Sequence, residues 1–568
     1  MARILVPVLL GLSLAGASAE ARKDELGPYG QLPAGPHCRV GTPSATPATA
    51  GPPPLFQGLG LRSFAITTAS PQAQAYFDQG LRWAYAFNHA EARRAFVEAQ
   101  RLDPGCALCA WGEAIVLGPN INKPMAPADN PAALAALHRA ERLAGKASAR
   151  ERDLIQAARA RYSADPQAER AALDAAYGEA MVQVARRHPE DHDLQVLAAE
   201  ALMDAQPWDY WQDDRVSPKG RHGETVALLE KVLAADPEHP GAIHLYIHAV
   251  EASATPERAL PGARRLAAQM PAAGHIVHMP SHIYYRVGLW KDSLEANRQA
   301  VRADEAYFAT AGAAPGIYRD GYYPHNIHFL LATAQMSGDG ATAIAAADKL
   351  AATVSEESAR AIPWAQPIKA APYFTHAQFS APETILALPD PGDGLPYVRA
   401  LWHYARGTAL ARQGAGNEAE IAAIRDLARQ PDIADLTAQG VPAADVLALA
   451  VEVLQGRAAQ GAGDHQRAAA HFRQAVVLED RLTYMEPPWW YYPVRQSLGA
   501  SLMQAGDAKG AEAVFREALA RTPNNGWALW GLAQAQWAQG DEAAAQDSER
   551  AFRQVWAGTP AAPQLAGL

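Results

Sequence analysis

The stretch GHIVHMPSHIYYRVG, residues 274–288, places His275, His278 and His282 within eight positions. Upstream, HPGAIHLYIHAVEAS carries His244 and His248, and downstream GYYPHNIHFLL carries His325 and His328. On a helix, side chains three or four apart share a face, so HxxH and HxxxH let two imidazoles reach one ion. Imidazole suits zinc, copper, iron and nickel, whereas magnesium and calcium prefer oxygen. An all-histidine ligand set makes copper or zinc the first candidates and iron the next. Glu251 follows His248 by three positions, giving HxxxHxxE. It can ligate, orient an imidazole, or act as a catalytic base on metal-bound water. Two other readings stay open for the seven histidines: a groove that hydrogen-bonds an acidic peptide or small molecule, and plain packing.

Spacing separates this set from the other histidines. His244 and His278 are 34 residues apart, as are His248 and His282. His89, His138, His376, His403, His465 and His471 stand singly and read as ordinary surface or core residues. Glu200, in LAAEALMDAQPWDYW, is a further inward candidate, with a helix-packing salt bridge as the equal alternative. Asn326, between His325 and His328, is expected to point elsewhere.

The elements that must carry these residues are helices. Pro280, between His278 and His282, either starts a helix near Met279 or bends one, because it removes a backbone hydrogen bond. The connection 306–324, with Tyr318, Arg319, Asp320, Tyr322 and Tyr323, is long enough to form a lid over a site. A second aromatic cluster, YMEPPWWYYP (484–493), interrupts the pattern later; its Trp489 and Trp490 read as packing.

The frame itself comes from an internal repeat. Gly80, Ala92, Phe96, Ala99 and Pro104 recur at the same offsets as Gly499, Ala511, Phe515, Ala518 and Pro523. Ala468, Phe472 and Ala475 fit the same template. These offsets resemble the tetratricopeptide repeat, a 34-residue pair of antiparallel helices. The resemblance spans residues 71–555 and implies an all-α fold, a right-handed superhelical solenoid whose first helices line a concave face. In that geometry His244, His248, His275, His278, His282, His325 and His328 project from the concave face of three successive repeats, enough for two ions. The chain is also similar to exported bacterial repeat proteins with HxxxHxxE and HMPSHIY segments, a likeness that implies no particular reaction. The paired HxxxH helices resemble those of the coupled dicopper oxidases in ligand spacing only.

Composition narrows the function classes. With 50 basic and 60 acidic residues among 568, the net charge of −10 gives no footprint for nucleic acid or an anionic membrane. Arg3, the apolar run Ile4–Leu14 and Ala17-Ser18-Ala19 read as a signal peptide over 1–19, placing the protein in a periplasm or outside the cell, with no membrane anchor. Residues 20–70 read as a Pro/Gly-rich extended segment and 556–568 as a disordered tail. In an oxidising compartment two of Cys38, Cys106 and Cys109 should pair, leaving one thiol. The expected function is a metal-binding repeat protein, an oxidase or a hydrolase if catalytic. The alternative is an adaptor holding a peptide, protein or small-molecule partner in the groove.

Overall fold

The computed structural model describes residues 51–558, apart from Pro166 and Ala313, together with 562–564. The expected signal peptide, Cys38, residues 20–50 and most of the tail lie outside the described residues. Helices follow one another from Pro71–Tyr85 to Glu542–Val555. Among the described residues there is no strand, only two isolated bridges, Asn120 with Lys123 and Trp211 with Pro218. No single helix among them is long and apolar enough to cross a membrane.

Consecutive helices pair as the small-aromatic pattern requires. A side chain on Gly80 would meet the Phe96 ring at 2.7 Å, and one on Gly112 would meet it at 2.6 Å. The ring is therefore clasped between glycines of two successive first helices, where only a missing Cβ leaves room. Gly499 and Gly531 clasp Phe515 in the same way, at 2.6 and 2.2 Å. Ala92, Ala99, Ala511 and Ala518 are buried alongside. Second helices begin on side-chain caps: Asn88, Asp464 and Asp507 each accept a backbone N–H three residues on, satisfying one orphan donor of the first turn.

The stack closes on itself. The Trp290 indole donates to the Asn524 carbonyl at 2.8 Å, and that of Trp527 to the Gln335 carbonyl at 3.0 Å. The backbone N–H of Ala557 donates to the Ser337 carbonyl at 2.9 Å. Near the other end, the Tyr307 hydroxyl donates to Glu91 at 3.2 Å. The segment before the first helix also packs down: Leu59 and Phe64 are buried, and Arg62 bridges Asp193 and Asp236, each at 2.8 Å. Two large hydrophobic cores result, one from Leu59 to Tyr322, joined by Tyr484, and one from Tyr285 to Ala535. The histidine-bearing helices lie where the two cores meet. Cys106 and Cys109 are disulfide-bonded at the start of the helix Ala107–Leu117.

Candidate metal centre

Three elements present the histidines. The helix Pro240–Val250 carries His244 and His248, with Glu251 at its C-cap. A short helix Gly274–His278 carries His275 and His278, and the helix Pro280–Val287 carries His282. Met279 joins the two with helical dihedrals, so Pro280 occupies a first turn, where its missing N–H costs nothing. The helix Tyr323–Ser337 carries His325 and His328.

Six of these imidazoles form two adjoining trios, His244 with His248 and His275, and His278 with His282 and His325. Within each trio the ligand atoms lie within 4.8 Å of one another. The trios touch, with the His248 and His282 ring centres 5.6 Å apart. His328 faces away: its Nε2 lies 2.6 Å from the Tyr491 hydroxyl, and it joins neither trio.

The hydrogen bonds set the ring tautomers. Both oxygens of Glu251 accept, one from His248 Nδ1 at 2.8 Å and the other from His282 Nδ1 at 2.6 Å. His244 Nδ1 donates to the Tyr85 carbonyl at 2.7 Å, and His278 Nδ1 to Asn297 Oδ1 at 2.7 Å. Asn297 is held the right way round because its amide NH2 donates to the Ser293 carbonyl at 2.8 Å. His244, His248 and His278 thus carry their proton on Nδ1 and present Nε2 lone pairs, while His282 gives its Nδ1 proton to Glu251. The Nε2 atoms of His278 and His282 face each other at 2.9 Å, a distance at which a proton or a metal ion lies between two such nitrogens. The Nε2 atoms of His244 and His248 and both nitrogens of His275 are buried without a hydrogen-bond partner.

Burial, then the nearness of the other imidazoles, holds His244, His275, His278 and His325 well below the usual histidine range, so they are neutral. Burial lowers His248 as well, against the pull of Glu251. Burial alone would raise the Glu251 carboxyl, but His282 beside it and the two imidazole hydrogen bonds outweigh that and hold it ionised. Glu486 completes a third group with Glu251 and His282, its Oε2 3.6 Å from His282 Nδ1. Burial and the neighbouring Glu251 charge push its carboxyl well up, so it keeps its proton and bonds Tyr484.

The site is enclosed, not spread along an open groove. The seven histidines are between 0% and 7% exposed, because the stack folds back and the turn Tyr318–Tyr322 covers them. Tyr322, at the end of a π-helical turn Tyr318–Tyr322, lies 4.5 Å from the His275 ring. An enclosed cavity bordered by His248, His275, His282, His325, Trp208 and Tyr322 leaves about 20 Å³ for water-sized bodies. The expectation that these residues project from a concave face is corrected accordingly: Phe87, Trp208 and Phe329 pack directly on the rings.

Several supporting residues carry little sequence signal. Phe87, at 4.4 Å from the His244 ring, and Trp208, at 5.0 Å from His248, both have positive φ, +56° and +67°. Large side chains rarely accept that backbone state, and it concentrates at functional sites. Glu200 lies elsewhere, half-buried beside Arg161 and Asp204, with loss of solvent pushing its carboxyl up to about 7. Asn326 donates to Asp304 at 2.7 Å, away from the trios. Trp490 packs on Phe374 at 5.0 Å.

Comparisons with known proteins bear on the fold. No curated protein matches the chain. Among solved structures, a human IFIT1 dimer with m7Gppp-AAAA is 15% identical, covers 79% of this chain and 90% of its own, and has a TM-score of 0.32. Yeast Tom70 is 11% identical, covers 85% and 92%, and has a TM-score of 0.28. At such scores neither likeness says anything about function. The tetratricopeptide repeat family profile matches residues 502–548. The chain therefore carries a tetratricopeptide repeat at 502–548, within an all-α fold of stacked helix pairs.

Proposed function

We propose that the protein holds two transition-metal ions, copper or zinc, one in each histidine trio, and that it works at this buried pair as an exported enzyme. The observation that carries the reading is the set of buried imidazole nitrogens with no hydrogen-bond partner, Nε2 of His244 and His248 and both nitrogens of His275. The Nε2 atoms of His278 and His282 also stand 2.9 Å apart, a spacing that suits one ion bound to both. Two nitrogens bound to one ion at about 2.0–2.1 Å stand roughly 2.9–3.4 Å apart for ordinary bond angles. Glu251 serves as the outer anchor of both trios, since a ligating imidazole characteristically donates its other N–H to a carboxylate or carbonyl.

Such a pair supplies Lewis acidity or redox reactivity toward one small bound molecule, and the closed chamber keeps bulk water away from it. Metal-dependent oxidation and metal-assisted hydrolysis are the reactions it suits. Export is supported by the signal-like N-terminus and by the Cys106–Cys109 disulfide, a bond that persists in oxidising compartments.

Elemental analysis of untagged protein tests this. The expected result is about two ions per chain, from the three-ligand capacity of each trio. His325→Gln should lower the content, and His328→Gln, which alters a residue of neither trio, should leave it unchanged. Protein reconstituted with copper or zinc that retains neither metal would reject the proposal.

A further inference from the structure

The histidine chamber admits a water-sized body, yet a far larger cavity of about 650 Å³ lies against the same walls. Three segments serve both. Asn122 borders the chamber and Lys123 the outer cavity; Tyr322 and Tyr318 divide in the same way, as do Trp364 and Ile362. On one side the wall includes Gly312 and Gly316, with φ of +81° and +149°. Gly316 leads into the π-helical turn Tyr318–Tyr322, a form that is rare and frequent at functional sites.

The lining states what would fit. One side is an aromatic group, with Tyr307 5.6 Å from Phe308 and 5.3 Å from Tyr318 between ring centres. The lining holds four basic and four acidic side chains, so its own charges balance. Arg93, Arg94 and Arg319 each have a carboxylate within 3.2 Å. Lys123 does not: its ammonium is 4.0 Å from Asp129, although the side chain is only 18% exposed. A half-buried, loosely paired ammonium favours one additional anionic oxygen pair. The lining is balanced, so a monoanion leaves one negative charge over and a dianion two, which favours the smaller charge.

We infer that the outer cavity binds a small organic monocarboxylate, its carboxylate on Lys123 and its apolar body against Tyr307, Phe308 and Tyr318. Asn122 and Tyr322 stand between this site and the histidines. The ligand is thus placed to meet the metal-bound molecule across that wall; this last role rests on the metal-centre proposal, whereas the carboxylate site itself does not.

The test uses the full chain without metal and two probes, 4-fluorobenzoate and uncharged 4-fluorobenzyl alcohol, followed by fluorine NMR titration. Fluorobenzoate should saturate one site per chain and bind at least about tenfold more tightly than the alcohol, as expected for a charge-assisted contact. Lys123→Gln should weaken fluorobenzoate by at least about tenfold and leave the alcohol unchanged. Asp129→Asn should tighten fluorobenzoate, because it removes the competing carboxylate. Lys146→Gln, which does not border the cavity, should change nothing. No saturable binding, equal affinity for the two probes, or an unchanged Lys123→Gln would each overturn the inference. Loss of the metal-centre proposal would appear separately, as absent metal in protein that still binds fluorobenzoate.

Discussion

Glu251 joins the two halves of the site, because each of its oxygens accepts from a histidine of a different trio. Glu251→Gln replaces one acceptor oxygen with a donor, so one of the two imidazoles must move its proton to Nε2, the ligating nitrogen. The expected result is a metal affinity lower by roughly 10–100-fold with helicity retained, the range for loss of an outer hydrogen-bond partner. Chelator competition followed by circular dichroism measures both. At this scale the sequence is legible where periodicity decides the face: HxxxH in the helix Pro240–Val250 and the 34-residue offset bring His248 and His282 within 5.6 Å. It is not legible for His328. Three residues on a helix differ by about 60° in direction, and its packing against Tyr491 comes from a segment 163 residues away. Phe87 and Trp208 were hidden for another reason, since only glycine and asparagine habitually advertise a left-handed backbone position.

Among the elements, the covering connection is tied down by Asp304, which accepts from the Tyr318 hydroxyl at 2.8 Å and from Asn326 at 2.7 Å. Burial pushes its carboxyl up to about 7 from an ordinary 3.8. A carboxyl raised on folding contributes stability fully present below its unfolded value and lost as pH rises through the folded one. Asp304→Asn has no such loss. Its stability relative to the unaltered chain should therefore improve between about pH 4 and pH 7, measured as midpoint differences in denaturant titrations; a difference independent of pH would contradict the assignment. The length and aromatic content of 306–324 suggested a cover, and Pro280 narrowed the helix break to Met279 or its surroundings. The π-helical turn was not legible, because no residue type specifies it apart from its packing.

For the whole molecule, the repeat offsets foretold stacked helix pairs, and Gly80, Phe96, Gly499 and Phe515 meet as the pattern requires. Closure was not foretold. It depends on contacts between residues more than 190 apart, such as the Trp527 indole on the Gln335 carbonyl, and a repeat pattern describes only neighbours. Closure matters because it brings Glu486 to His282 and shuts what an open superhelix would leave as a groove. Trp527→Ala removes a side chain that is 7% exposed together with its hydrogen bond. It should cost about 3–5 kcal/mol, read as a lower unfolding midpoint, and raise hydrogen exchange in the helix Tyr323–Ser337. Unchanged exchange there would mean that closure does not depend on this contact.

The central claim is that two ions sit side by side, each held by three imidazoles. Anomalous diffraction from crystals of the copper- or zinc-loaded protein tests it most directly. The account predicts two anomalous peaks, one among His244, His248 and His275 and the other among His278, His282 and His325. Well-ordered crystals of loaded protein showing no peak at either trio, or a peak only elsewhere, would contradict it.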